Sequence, residues 1–511
     1  MWEMNRTPNL DQVYVLNPYY RLRPDIHRVV LYAKGGNEQD CSRHWCTFIH
    51  PLHAVLLSFF TYKRTLKENL ALLSDFFSRP ESEVTQWVKR FIENEGPIQA
   101  TSGGTIIHFP KRVLIEVKDG MEESAFTQTD ANRFLWKHLD LRTRRLYTGP
   151  LIVTLMLTNR CRTHCRYCYA DTTTRVANPL STARWLELIR EAARMEVASV
   201  NLMGGEVFLH PDWPLLLQET VKLDMEPDFL STKIPLNRAM VNSLKACGYK
   251  GVIQVSLDAA SDAIVNPLTD TKPGYVRAVL EGLRLLDESG LNYQVATVLT
   301  TSNSHWKVLE ALYEELCRLK RLQDWRLVPV SNSITKPYAD LARLKPDRRQ
   351  LGELFGEVEK SIKGRSPFPI ILGKGVLDKH YGQTTGGSCR FEGSECSALN
   401  SHLFVLPDGK VTICEQLYWN PRFLIGDVTS MTLKDVWNSK KARSLCSLRQ
   451  TDLQPQSPCS RCALFEQCFG YRNRCWSDII KAYGPDCWDY PDPRCAWAPT
   501  MKYNLGYGNG L

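Results

Sequence analysis

The chemistry of this 511-residue chain concentrates at two groups of cysteines. Thr158 to Tyr169 reads TNRCRTHCRYCY and carries Cys161, Cys165 and Cys168 in C-x3-C-x2-C spacing, directly after the apolar run Leu151 to Leu157. Three thiolates on one tight loop can hold a metal cluster and leave one coordination position open, which points to chemistry rather than structure. Past the Gly-rich turn TTGGS come ten more cysteines, with Cys396, Gly409 and Cys414 in C-x12-G-x4-C spacing and Cys459, Cys462 and Cys468 in C-x2-C-x5-C spacing. Either auxiliary iron–sulfur clusters or two tetrahedral zinc sites could use those ligands.

The elements that must position the first loop begin at residue 150. LIVTLML, VASVNLM, PDFLST, GVIQVSL, NYQVATVL and WRLVPV are separated by helical stretches such as ARWLELIREAARME and YVRAVLEGLRLLDES. Near-continuous apolar strands alternating with helices predict an α/β fold, a partial (β/α)6 TIM-like barrel over 150–375. In such barrels the chemistry sits at the C-terminal strand ends. The Cys loop follows the first strand, and Gly204, Gly205 and Glu206 follow the second. Ser231 and Thr232 end the third, Ser256 and Asp258 the fourth, and Thr300 to Asn303 the fifth.

Upstream, short extended pieces precede three helical stretches, and a second extended pair, 98–101 and 105–109, closes a winged-helix-like α+β domain over 10–112. Residues 113–149 read as a charged linker followed by a bridging helix, NRFLWKHLDLRTRR. A Cys-rich domain spans 385–500, and 501–511 is a tail. His50, His53, Cys41 and Cys46 read as structural, because a C-x4-C pair with no partner pair is a weak ligand set. Cys247 and Cys317 lie in apolar helical contexts and read as core.

A formal net charge of +9 indicates an anionic partner or a solvated basic surface, and no Lys/Arg run interleaved with aromatics supports nucleic acid. The N-terminus lacks a secretory pattern, and the longest apolar stretch, 48–62, falls short of a membrane span. A cytoplasmic location is expected. Seventeen cysteines in a reducing compartment are metal ligands before they are disulfides.

CRTHCRYC after a first strand and MGGE after a second together resemble the radical S-adenosylmethionine (SAM) superfamily, with LMGGEVFLHPD and VSLDAASD adding to the likeness. The resemblance implies that Cys161, Cys165 and Cys168 bind a [4Fe-4S] cluster whose fourth iron takes the methionine amino and carboxylate groups of SAM. Gly204 and Gly205 would then let the backbone approach the methionine amino group, and Glu206 would help fix that cation. Tyr167 would lie near the adenine. Ser256, with Ser231 or Asp258 as further candidates, would bond the ribose or carboxylate, unless Ser256 is a strand-end cap. Relatives often carry an Arg where this chain has Val265, so another group, Lys272 or Arg277 among the candidates, would have to bind the carboxylate, and that contact stays open.

The C-terminal spacings, with LFVLPDGKVTIC and FLIGDVTSMTLKDVW, resemble the SPASM domain. That likeness implies two auxiliary [4Fe-4S] clusters, one on Cys389, Cys396, Cys414 and Cys475 and the other on Cys459, Cys462, Cys468 and Cys495. Cys487 competes with Cys495, and the x6 gap from Cys468 to Cys475 departs from the usual x3. Glu415 is either a base, as in some relatives, or a surface residue. RVVLYAK, HPLHAVLLSFF, TYKRTLKENLALL and VTQWVKRFIEN resemble PqqD-like peptide-recognition domains. Together these imply a maturase of ribosomally made peptides that binds a leader, draws electrons from a flavodoxin- or ferredoxin-type donor and installs a carbon–carbon or thioether crosslink. The alternatives are a peptide epimerase, a sulfatase-type protein maturase, or a peptide-binding scaffold with structural clusters.

Overall fold

The structure, a computed structural model, describes residues 8–34, 45–92, 94–102, 104–118, 121, 127–136, 138–362, 364–373, 380–385, 388–393, 395–471 and 474–505. The chain divides into two compact units, Met1–Thr148 and Gly149–Leu511.

In the first unit β1 (Tyr14–Leu16) pairs antiparallel with β7 (Leu114–Glu116). Strands β2 (Tyr20–Pro24), β3 (Val29–Ala33) and β4 (Cys46–Ile49) form an antiparallel sheet with β3 in the middle, and β5 (Ile98–Ser102) with β6 (Thr105–Phe109) form a hairpin. Helices α1 (Pro51–Phe59), α2 (Leu66–Phe77) and α3 (Glu81–Lys89) complete the α+β unit. A reciprocal Thr65–Glu68 capping box starts α2. Leu57, Phe60, Leu73, Val84 and Phe109 are among the side chains that fill the core.

The bridging helix expected within 113–149 is not what folds among the described residues there, and most of the expected linker, 119–120 and 122–126, lies outside them. Val113, Leu114, Phe134 and Leu141 belong to the same core, and Ala131–Phe134 makes a single 3-10 turn. What pins the segment is a buried ion pair: Arg28 Nε meets Asp25 Oδ2 at 2.9 Å, both side chains fully buried. The same guanidinium donates to the carbonyls of Thr143 and Arg145, while Asp25 Oδ1 accepts from the backbone N–H groups of Tyr147 and Thr148. An ion pair this buried needs all its remaining hydrogen-bonding capacity satisfied, and residues 143–148 supply it. Cys46 is exposed, and Cys41 lies outside the described residues.

In the second unit β8 (Ile152–Thr158), β9 (Ser199–Gly204), β10 (Phe229–Thr232), β11 (Val252–Ser256), β12 (Tyr293–Leu299) and β13 (Leu322–Pro329) are the six expected barrel strands. They alternate with α4 (Thr182–Arg194), α5 (Trp213–Lys222), α6 (Arg238–Ala246), α7 (Asp262–Thr269), α8 (Tyr275–Ser289) and α9 (Trp306–Cys317). Strands β10 to β13 run parallel, joined by a seventh, β14 (Ile370–Leu372), and β8 is parallel to β9. Among the described residues no ladder joins β9 to β10, the facing edges of two five-stranded sheets. After the hairpin β15 (His380–Thr385) and β16 (Ser388–Glu392), the Cys-rich region does not stand apart: its β17 (His402–Val405) pairs parallel with β8 and continues into β18 (Lys410–Thr412) and β19 (Leu424–Asp427). Cys247 is buried with its thiol on the Pro214 carbonyl at 3.2 Å, whereas Cys317, expected in the core, is exposed because it is the last residue of α9. Among the described residues no helix is long and apolar enough to cross a membrane.

Candidate functional site

The Cys loop leaves β8 and is held by backbone on two sides. The N–H groups of His164 and Arg166 donate to the carbonyls of Thr269 and Leu268 at the end of α7, and those of Gly205 and Glu206 donate to the carbonyls of Thr158 and Arg160. A Cβ on Gly204 would stand 2.8 Å from the Thr158 carbonyl oxygen, and one on Gly205 2.6 Å from those of Asn159 and Arg160. In this structure the two glycines are therefore what lets the second strand end seat against the Cys loop.

Along that loop the side chains alternate. Thr163, Cys165 and Tyr167 are buried and Cys161 and Cys168 half-buried, while Arg160, Arg162, His164 and Arg166 are exposed. The thiols of Cys161 and Cys165 both contact the Thr163 hydroxyl, at 3.3 and 3.5 Å. Burial pushes the Cys165 thiol up, with Lys233 opposing, and pushes Cys168 to about 11. Thiolates at those positions need a compensating cation, as a metal cluster provides.

Behind the loop lies a buried polar cluster. Asp258, fully buried, accepts from Val298 N at 3.0 Å on Oδ1 and from Lys233 Nζ at 3.0 Å and the Tyr167 hydroxyl on Oδ2. Lys233 Nζ also lies 5.3 Å from the Tyr167 ring centroid. Burial pushes the Lys233 ammonium down, but Asp258 and Cys165 outweigh it and hold its pKa above the ordinary lysine value. Asn303, fully buried, ties the Asp258 and Val298 carbonyls together through Nδ2. Asp258 thus faces protein on both oxygens.

Glu206 is similarly engaged, with Oε2 accepting from Thr232 Oγ1 and Lys233 N and Oε1 from Phe208 N. Burial raises its pKa and those hydrogen bonds oppose the rise. Ser231 accepts from Gln254 Nε2, and Gln254 from Gln294 Nε2, a polar row across β10, β11 and β12. Ser256 is half-buried two residues beyond Gln254 on the same face. Arg277 is 81% exposed and paired with Glu281, and Lys272 is exposed, whereas Lys233 meets the Tyr167 ring of the Cys loop. Lys233 directly follows Thr232 at a barrel strand end, but no motif in the sequence marks it.

The C-terminal thiols fall into two sets. Charge on Cys475 and Cys396 acts on the Cys414 thiol, and charge on Cys459, Cys495 and Cys462 acts on Cys468, behind the larger effect of burial. Charge on Cys487 acts on Tyr490, and on Tyr483 behind that of Cys495 and Cys459. Cys389 lies on β16, and its side chain is outside the described residues. Among the described residues no three His, Cys, Asp or Glu side chains are gathered closely enough to hold a metal ion. The x6 gap carries Arg474, a buried guanidinium that donates to the Tyr490 carbonyl at 2.6 Å and opposes the burial of Cys459 and Cys468. Glu415 is half-buried, and burial raises its carboxyl while Lys481 opposes the rise. It is one of the charges acting on Tyr169 and on Tyr418, whose phenol is buried with no partner among the described residues.

A model of the radical SAM superfamily matches residues 155–334, and one of an iron–sulfur cluster-binding domain, SPASM, matches residues 396–463. A PqqA peptide cyclase of Gluconobacter oxydans is 25% identical over 360 residues, 69% of this chain and 92% of that protein. The mycofactocin maturase MftC of Mycobacterium tuberculosis is 26% identical over 358 residues, 68% of this chain and 83% of that protein. In fold, the chain is similar to Streptococcus suis SuiB, solved bound to its precursor peptide SuiA, with a TM-score of 0.59 and 14% identity over 94% of this chain and 98% of that one.

Proposed function

The chain is a radical SAM enzyme with a SPASM iron–sulfur domain, and from that premise we propose that it modifies a ribosomally made precursor peptide by forming a carbon–carbon or thioether crosslink. The observation that carries the reading is the Cys loop: three thiols at a barrel strand end, clamped by a Gly-Gly-Glu turn. A relative named for its peptide substrate, the PqqA peptide cyclase, supports the substrate class.

SAM and a reduced [4Fe-4S] cluster, when bound, supply a 5′-deoxyadenosyl radical able to take hydrogen from an unactivated carbon. In this reading Cys161, Cys165 and Cys168 hold that cluster. Lys233, in place of Lys272 or Arg277, pairs with the SAM carboxylate, and the Gly204–Gly205 backbone and Ser256 contact the rest of the cofactor. Tyr167, Asp258 and Glu206 then serve by holding Lys233 and the third strand end in place. Cys389, Cys396, Cys414 and Cys475 hold one auxiliary cluster and Cys459, Cys462, Cys468 and Cys495 the other, with Cys495 favoured over Cys487 by the charges acting on Cys468. Glu415, next to Cys414 and opposite Lys481, is the group suited to take the substrate proton.

The first unit binds the peptide's leader by strand addition to an edge of the β2–β3–β4 sheet. The chain works in the cytoplasm and draws its electrons from a flavodoxin- or ferredoxin-type donor.

Anaerobically reconstituted protein is expected to hold about twelve irons, four per cluster, and to release 5′-deoxyadenosine with SAM and dithionite. Cys165→Ala should abolish that release. Co-expression with a short peptide encoded beside the gene should give a product lighter by two hydrogens per crosslink. An unchanged mass would favour epimerisation instead.

A further inference from the structure

Two buried arginines stand directly before cysteines of the C-terminal domain, and they differ in what faces them. Arg494, before Cys495, pairs with Asp492 Oδ1 at 2.7 Å and with Asp478 Oδ2 at 3.0 Å. Arg474, before Cys475 and only 6% exposed, pairs with no carboxylate among the described residues. Its Nη2 donates to the carbonyls of Asp489 at 3.3 Å and Tyr490 at 2.6 Å, and its Cζ lies 5.5 Å from the Trp476 ring centroid. Its Nε is buried with no hydrogen-bond partner among the described residues. The Asp489 carboxylate is engaged elsewhere, accepting from Gln454 N at 2.6 Å and Gln454 Nε2 at 3.1 Å.

A tie between the chain before Cys475 and the 489–490 backbone is the ordinary use of such a side chain, and the two carbonyls account for one of its nitrogens. They do not account for the charge. A guanidinium stays protonated in proteins, and a buried cation with no anion is costly. The same backbone seats a cysteine loop. Ser457 Oγ donates to the Asp489 carbonyl at 2.9 Å, and Gln450 Nε2 donates to the carbonyls of Cys459 and Cys462 at 2.9 and 2.8 Å. Arg474 is thus joined to the segment that carries Cys459, and its charge acts on the Cys459 and Cys468 thiols behind the larger effect of burial. A four-iron cluster on those thiols is an anion, because four thiolates outweigh the charge of the iron–sulfur core, and it becomes more negative when reduced.

We propose that the Arg474 guanidinium is the counter-charge of the auxiliary cluster on Cys459, Cys462, Cys468 and Cys495 and makes that cluster easier to reduce. The inference rests on the assignment of those four cysteines given above. Reduction moves one electron from the external reductant to the cluster, and no bond forms or breaks at Arg474. Net charge and burial set the potential of such clusters, and a charge held away from water is little screened. Arg474 ends the x6 gap between Cys468 and Cys475, the stretch that departs from the usual x3.

The test is a potentiometric titration of the anaerobically reconstituted full chain, followed by the electron paramagnetic resonance of the reduced clusters. The step that disappears in Cys459→Ala/Cys462→Ala, together with about four irons, identifies the cluster. Arg474→Gln keeps N–H donors for the two carbonyls and removes the charge, and Arg474→Lys keeps the charge. In Arg474→Gln the reduction equilibrium of that step should move at least tenfold toward the oxidised cluster, about 59 mV for one electron. In Arg474→Lys it should stay within threefold, and the other two steps should stay in place in both variants. Loss of about four irons in Arg474→Gln alone would support the inference as well, since assembly would then need the charge.

An unchanged or raised potential in Arg474→Gln overturns it. So does an equal shift, or an equal loss of iron, in both variants, which would assign Arg474 to packing rather than charge. Retention of all the iron in Cys459→Ala/Cys462→Ala would instead fail the cysteine assignment itself.

Discussion

Glu206, at the end of β9, accepts a hydrogen bond from the Thr232 hydroxyl at the end of β10 at 3.0 Å, across the one neighbouring pair of barrel strands that no described ladder joins. The carboxylate replaces a missing backbone connection and fixes where the third strand ends, and with it where Lys233 begins. Glu206→Ala would leave the Thr232 O–H donor, whose oxygen still accepts from Ile234 N–H, and the Lys233 and Phe208 N–H groups without this acceptor in a buried site. The expected cost is about 2–4 kcal/mol of stability, read as a lowered denaturant midpoint. Glu206→Gln keeps one acceptor oxygen and should lose less than half of that.

Gly205 gives the sharpest steric test of the site. A Cβ there would meet the carbonyl oxygens of Asn159 and Arg160 at 2.6 Å, closer than such contacts permit, and both neighbours are backbone. Gly205→Ala must therefore displace the Cys loop. Reconstituted protein should keep its secondary structure by circular dichroism yet lose about four irons per chain, one cluster's worth.

Much of this arrangement was legible because strand ends in a parallel barrel converge whatever the sequence between them. The cysteines, Gly204, Gly205 and the six strands could be placed by that rule alone. Lys233 and the hydrogen-bond partners of Glu206 and Asp258 could not, since each depends on which side chains meet across strands, and periodicity says nothing about that. The 113–149 segment misled for a related reason. NRFLWKHLDLRTRR looks helical, but Arg28 and Asp25, more than a hundred residues earlier, capture 143–148 by its backbone. Local pattern carries no trace of such a pairing.

Lys233 and Asp258 form a pair whose removal in halves and together should differ. Lys233→Met leaves Asp258 buried with only Tyr167 and the Val298 N–H, and breaking a buried pair from one side costs about 3–5 kcal/mol. Lys233→Met/Asp258→Asn removes both charges and should recover at least half of that in urea unfolding. SAM affinity, measured by equilibrium binding to the reconstituted protein, should remain weakened in both. Full recovery of SAM binding in the double variant would count against a cofactor role for Lys233.

His53 makes the stability of the first unit depend on pH. Its ring packs against Phe109 at 5.1 Å and Phe91 at 6.3 Å, and burial, then the charges of His50 and Arg90, lower its pKa from 6.5 to about 4. The unfolded chain therefore takes up a proton near pH 6.5 that the folded unit refuses until about pH 4. The stabilisation is fully present above pH 6.5 and is lost as pH falls through that window, by about 1–2 kcal/mol between pH 7 and pH 5. In the full chain, denaturant midpoints followed by amide hydrogen exchange of the first unit's core, at Leu57 and Phe109, should fall from pH 7 to pH 5, and His53→Phe should flatten the slope. A midpoint insensitive to pH in the unsubstituted chain would show that the ring is not excluded from water.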